Sequence, residues 1–236
     1  MRPVLPLIAP LAGIVVIAAA CSPAPKTASQ PAKSPTAGAP AEAQAQAPAE
    51  APAGAYFMDP AHTSVNFRVS HMGLSHYTAR FTKVSGNLTF DPANPAAQSV
   101  TVTIDPASVQ TNYPEPAKVD FDSQVEKEFL DTAHFPQITF KSTKVEVTGP
   151  KTANVTGDLT LHGVTKPVVL QATFNGGYKP NAYDPMGARV GFSAKGTFKR
   201  SDFGISFGLP APGTTMGVGD NVEVAIETEF TSKPPS

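Results

Sequence analysis

The sequence predicts an all-β domain with one short helix, and three observations carry that prediction. The first is Val155 to Phe174, a pair of period-two runs. Val155, Leu159 and Leu161 share one parity against Thr156, Asp158, Thr160 and His162, and then Val168, Leu170, Ala172 and Phe174 alternate with Val169, Gln171, Thr173 and Asn175. That is the pattern of strands with one dry face. The second is that six further stretches alternate in the same way. The third is that a single stretch, Ala117 to Leu130, departs from it, placing Phe121, Val125 and Phe129 at helical spacing. A two-stranded hairpin is marginal alone in water, so the apolar face of the central pair needs the other strands as cover.

Taken in order, Met1 to Ala20 opens with Arg2, runs through an apolar stretch and ends in Ile17-Ala18-Ala19-Ala20 before Cys21. A basic start, a short apolar core and small residues at the end describe a secretory signal over residues 1–20. The small residues followed by Cys21 resemble a bacterial lipobox, which implies lipidation of Cys21, and Ser22 after it implies sorting to the outer membrane. The stretch from Ser22 to Gly54 holds seven prolines and twelve alanines in 33 residues, with no aromatic residue and no Val, Ile or Leu. It has nothing to bury against its ordering entropy, so residues 21–54 are expected to be a disordered tether. The folded domain is expected over residues 55–233.

Within that domain, Val65, Phe67 and Val69 alternate with Ser64, Asn66, Arg68 and Ser70. Val84, Leu88 and Phe90 make the next strand, and because Phe81 sits on the opposite parity, a bulge or bend is expected near Thr82. Val100, Val102 and Ile104 follow, then Ile138, Phe140, Val145 and Val147. After the central hairpin, which is expected to reverse within Gly163 to Pro167, come Val190, Phe192, Ala194 and Phe198, and last Val222, Val224, Ile226 and Phe230. Eight amphipathic strands must bury their apolar sides together, either as two packed sheets or as a closed barrel, and the pattern alone fits both.

Composition narrows the partners. A formal net charge of -1 gives no electrostatic hold on nucleic acid or on an anionic membrane surface. One cysteine, Cys21, excludes an intrachain disulfide and a cysteine metal cluster. No cofactor is indicated. The sequence leaves oligomeric state open, a homodimer included.

Several blocks then carry a resemblance. They are Asp59-Pro60-Ala61-His62-Thr63-Ser64-Val65-Asn66-Phe67, His71-Met72-Gly73-Leu74-Ser75, Phe129-Leu130-Asp131 with Pro136 to Thr143, Gly157 to Val168, and Lys199-Arg200-Ser201-Asp202-Phe203-Gly204-Ile205. In this order they resemble the YceI-like family across nearly the whole domain. The resemblance implies an eight-stranded antiparallel lipocalin-like β-barrel, secreted or periplasmic, whose long apolar cavity holds an isoprenoid or other amphiphilic chain, with binding rather than catalysis as its work. Pro114 to Asp120 departs from the family, where many relatives carry an Arg-Asp pair ahead of the helix.

Candidate ligand contacts are the inward-parity residues Phe67, Phe90, Phe140, Leu161, Phe174, Phe192 and Phe198, with Arg200 as a phosphate-binding candidate or, paired with Asp202, as the brace of a barrel corner. Histidines 62, 71, 76, 134 and 162 lack the spacing of a metal cluster and are expected to hydrogen-bond at the rim or to hold a polar head group. Gly204-Ile205-Ser206-Phe207-Gly208 matches a nucleophile pattern, but Pro210 and Pro212 follow and the last histidine, His162, precedes it, against the order that motif requires. An envelope enzyme using His162 or Ser206, and a solidly packed partner-binding module, are the rival readings. For the anchor, Cys21→Ser is expected to release the protein in soluble form, read by fractionation of envelope and soluble material; undiminished membrane retention of that variant would refute lipidation.

Overall fold

The computed structural model describes residues 51–235. The signal segment, Cys21 and most of the expected tether lie outside the described residues. Eleven strand segments form one antiparallel sheet: β1 Gly54–Met58, β2 Ser64–His71, β3 Ser75–Phe81, β4 Val84–Phe90, β5 Ser99–Ile104, β6 Val109–Gln110, β7 Ile138–Gly149, β8 Thr152–Leu161, β9 Val164–Tyr178, β10 Arg189–Lys199 and β11 Val218–Thr231. All eight expected strands are among them. The ladder runs β1-β4-β5-β7-β8-β9-β10-β11, and β11 returns to β1 through Phe57↔Thr231 and Met58↔Phe230. The sheet is therefore a closed barrel, not a sandwich.

The three additional segments are halves of bent staves. β2 continues β1 along the same edge of β11, β3 pairs with β2 and leads into β4, and β6 pairs with β3 after following β5. Counted as staves, the barrel has eight, each beside its neighbour in sequence and the last beside the first, an up-and-down closure that leaves no free edge around the ring.

Two of the bends share a sequence. In Asp59-Pro60-Ala61 and Asp105-Pro106-Ala107 the Asp carboxylate accepts the Ala N–H at 3.0 and 2.9 Å, capping a single 3₁₀ turn whose first residue is the proline. Proline is at home there because its missing N–H has no helical partner to lose. The bend expected at Thr82 falls between β3 and β4, where Ser108 Oγ accepts from the Thr82 and Lys83 amides at 3.2 and 3.0 Å. The central hairpin reverses through His162 and Gly163, with φ of 51° and 73°, rather than over the longer stretch expected. Positive φ at both central residues matches the twist of the strands. Pro167 lies within β9 opposite Asp158, in a non-hydrogen-bonded pair, and the ladder to β10 begins only at Leu170↔Gly196, so no ladder bond is lost.

The helix is shorter than expected: α1 spans Phe121–Gln124, capped by Asp120 accepting from the Ser123 amide at 3.0 Å, and runs into a π-helical turn over Val125–Phe129. Ala51, assigned to the tether, is buried, and the Tyr56 hydroxyl donates to the Pro52 carbonyl at 2.7 Å. The ordered barrel thus reaches at least four residues further toward the N-terminus than composition indicated.

One end of the barrel is filled. Phe90 stacks on Phe174 at 5.7 Å, Phe174 meets Phe192 at 5.3 Å, and Tyr56 and Phe230 close the group at 5.8 and 6.2 Å. Above these rings Arg189 donates to Asp184, Asp59 and Glu229 at 2.9, 2.8 and 2.6 Å, tying three loops and strands together. Its hydrogen bond, with one from Tyr178, holds the Asp184 carboxyl down to about 2. For Asp59, burial pushes upward but the hydrogen bonds from His62, Arg189 and the Ala61 amide prevail and its pKa is lowered.

A carboxyl depressed below its unfolded value of about 3.9 leaves the unfolded chain to take up protons first as pH falls. The stability these carboxylates contribute is complete above about pH 4 and lost toward about pH 2. Arg189→Ala is expected to cost about 3 kcal/mol at neutral pH by leaving carboxylates facing one another, and to flatten the decline between about pH 4 and 2. Urea denaturation at stepped pH measures both, and parallel curves for wild type and variant would contradict the assignment.

Candidate functional site

The other end of the barrel is hollow. A cavity of about 230 Å³ lies inside the sheet, walled by Val65, Phe67 and Val69 of β2, Ala79 and Phe81 of β3, Val222 and Val224 of β11, and Leu159 and Leu161 of β8. Phe121, Val125, Phe129 and Leu130 cover it from the helical segment. The spacing of four that marked the first three as one helix face puts them all against the hollow. Asn112 and Asp131, both non-glycine residues at positive φ, bracket that segment.

Of the candidates, Phe67, Leu161, Phe198 and Arg200 meet at this wall. Phe90, Phe174 and Phe192 do not; they belong to the ring stack at the filled end. Phe140 is half-buried and lies over Gly157, where its ring takes the space a Cβ would need. Inward parity identifies the residues that face the interior, but all points along a barrel axis share that parity, so it cannot separate plug from cavity. Tyr77, Ala79 and Phe81 also line the wall without being among the candidates, because on their strand the inward parity carries the small Ala79 and the hydroxyl-bearing Tyr77, which weaken the apolar signal.

Arg200 is not a phosphate receptor. It is 4% exposed, and its guanidinium donates to the carbonyls of Gly219 (2.9 Å), Ile205 (3.2 Å), Phe207 (2.8 Å) and Val218 (2.8 Å). Asp202 is exposed and takes no part; Asp220 instead accepts from the Ser201 amide and hydroxyl at 3.0 and 2.9 Å. Burial pushes the Arg200 pKa down, with Asp220 opposing. The residue is a clamp that shapes the loop running from β10 to β11 beside the cavity.

Around the opening, apolar side chains stand in water. Leu74, at the β2–β3 tip, is 88% exposed, and Met216 and Phe207 are also exposed. The tip lies beside the 215–217 loop through the Met72 amide bond to the Gly217 carbonyl at 2.8 Å, and Phe207 meets Phe129 edge-on at 5.1 Å.

The other chemistry considered does not assemble. Asp59, His62 and Glu229 bring three ligand atoms together, yet Arg189 Nη1 already sits 2.8, 3.5 and 2.6 Å from them and supplies the positive charge a cation would bring. Ser206 lies in an exposed turn with no strand-to-helix elbow, and His162 Nδ1 is engaged 3.2 Å from the Phe203 carbonyl. His134 pairs with Asp131 at 2.8 Å and His71 alone of the histidines is at the cavity wall.

Residues 56–230 match the YceI-like domain. The chain belongs to the YceI-like family. It is 44% identical over 167 residues to a UPF0312 protein of Pseudomonas savastanoi pv. phaseolicola, covering 70% of this chain and 80% of the relative. Another UPF0312 protein, from Pseudomonas syringae pv. tomato, is 45% identical over 155 residues, 65% of this chain and 74% of the relative. Among solved structures, BcnA of Burkholderia cenocepacia is similar at a TM-score of 0.60 and 28% identity, covering 73% of this chain and 98% of that one. The YCEI protein of Campylobacter jejuni gives 0.56 at 29% identity, covering 70% and 90%. A domain of Saccharophagus degradans described as polyisoprenoid binding shares the fold at a TM-score of 0.54 and 17% identity, covering 75% and 97%.

In this YceI-like barrel the Arg200 clamp is expected to be structural. Arg200→Met frees four carbonyls beside the cavity and should lower stability by about 3 kcal/mol or more, seen as a lower urea midpoint with unchanged slope. A loss below about 1 kcal/mol would mean the carbonyls find water without cost.

Proposed function

We propose that this protein is an envelope lipoprotein whose barrel takes the tail of an isoprenoid or other long-chain amphiphile, sequestering it or carrying it through aqueous space. In this reading Cys21 holds it to the membrane, with the outer membrane of the periplasm as its place, and the barrel works at the length of the segment between Cys21 and Ala51.

The observation that carries the reading is the apolar hollow at one end of the barrel. Ligand sites of drug-sized molecules run to about 300–1,000 Å³, so about 230 Å³ suits the end of a chain rather than a whole long molecule. The exposed Leu74, Phe207 and Met216 at the opening would meet the next part of it. Each buried methylene contributes about 0.8 kcal/mol, so roughly ten of them supply about 8 kcal/mol before the cost of ordering the chain. Affinity therefore needs no catalytic group and no buried charge. The Saccharophagus degradans domain makes an isoprenoid the first chain to test. Phe67, Leu161 and Phe198 are the proposed contacts, joined by Ala79, Phe81, Val222 and Phe129.

Delipidated full-length protein is expected to bind geranylgeraniol one to one, with a dissociation constant of about 1 μM or tighter. Ala79→Trp, which drives an indole into the hollow, should weaken binding about tenfold or more while leaving the circular dichroism of the barrel intact. Absence of binding to the native protein, or undiminished binding to a folded Ala79→Trp variant, would place the ligand elsewhere or remove it.

A further inference from the structure

The cavity wall includes polar residues, and what they already do decides which head group a bound chain can carry. Arg200 uses four of its five N–H groups on backbone carbonyls. The Tyr77 hydroxyl donates to the Thr111 carbonyl at 3.0 Å, and the Thr111 amide donates to Asp122 Oδ1 at 2.7 Å, as does the Thr111 hydroxyl. Among the described residues, no buried side-chain nitrogen or oxygen lacks a partner. A buried side-chain polar atom left over inside a pocket is what fixes a polar ligand group, and among the described residues this cavity has no such side-chain atom to offer. His71, the remaining polar wall residue, is exposed. The segment that covers the cavity, from Phe121 to Leu130, carries Asp122, Glu126 and Glu128 against Lys127. That balance repels an anion approaching the opening.

We propose that the site reads the apolar tail alone, and that its ligand is a long chain whose head is uncharged and stays in water at the opening. This rests on the chain-binding reading above and sharpens it. Drawing a diphosphate or carboxylate head inside would strip its water and return no hydrogen bond. Leaving such a head outside would set it beside the acidic cover. A neutral head meets neither penalty.

Competition between geranylgeraniol and geranylgeranyl diphosphate for the full-length protein, followed by native mass spectrometry at low and high salt, tests this. The alcohol is expected to bind as tightly as the diphosphate or more tightly, with its own affinity unchanged by salt. A preference for the diphosphate of about threefold or more, whether or not it fades with salt, would overturn the proposal while leaving chain binding intact. Binding of neither would overturn chain binding and this proposal with it.

Discussion

Everything in this molecule depends on one edge of β11. Along it the chain must satisfy two segments at once, β2 over Val218–Glu227 and β1 over Phe230–Thr231, and only a kinked first stave can present both. The kink is chemical. Asp59 caps a single turn begun by Pro60, and the same Asp-Pro-Ala device bends the third stave at Asp105. The second stave bends where Ser108 holds the Thr82 and Lys83 amides. With the three bends in neighbouring staves, the ring closes through the β1–β11 pairing.

Closure forces the apolar side of every stave into one interior, and that interior is not uniform. Toward the chain reversal at Tyr178–Arg189 it is occupied by aromatic rings in mutual contact and sealed by the Arg189 ion network. Toward the His162–Gly163 turn the wall mixes Val, Leu, Ile and Ala with the rings of Phe67, Tyr77, Phe81 and Phe198, which leave a hollow between them, and the helical segment reaches over to cover it. The filled half packs ring against ring, and in the proposed reading the hollow half, covered by a short helix with a π turn, is where a tail replaces missing protein atoms. A barrel filled throughout would have nothing to exchange; one empty throughout would forfeit the packing that holds its shape.

Much of this was legible in the residues. All eight main strands announced themselves by period two, the bend at Thr82 by a parity break between Phe81 and Val84, and the helix by Phe121, Val125 and Phe129. What escaped did so for physical reasons. β1 is five residues in which Phe57 is apolar on the outward side as Tyr56 and Met58 are on the inward side, so it shows no alternation, and β6 is two residues long. Closure itself, rather than a sandwich, follows from long-range pairing that parity does not encode. Parity also could not tell Phe174 and Phe192, which plug the barrel, from Phe67 and Phe198, which line the hollow, because depth along the axis is a tertiary quantity. Arg200 is a brace, one of the two roles its sequence position offered, but its partners are four backbone carbonyls rather than Asp202, which no side-chain motif foreshadows.

The central claim is that the hollow half of the barrel holds a tail. Native mass spectrometry of the protein isolated from its native cells without delipidation, followed by organic extraction, tests it most directly. The account predicts one bound prenyl or comparable long chain per protein, released by solvent. A protein that emerges without a bound chain, with no such chain in the extract, would contradict it.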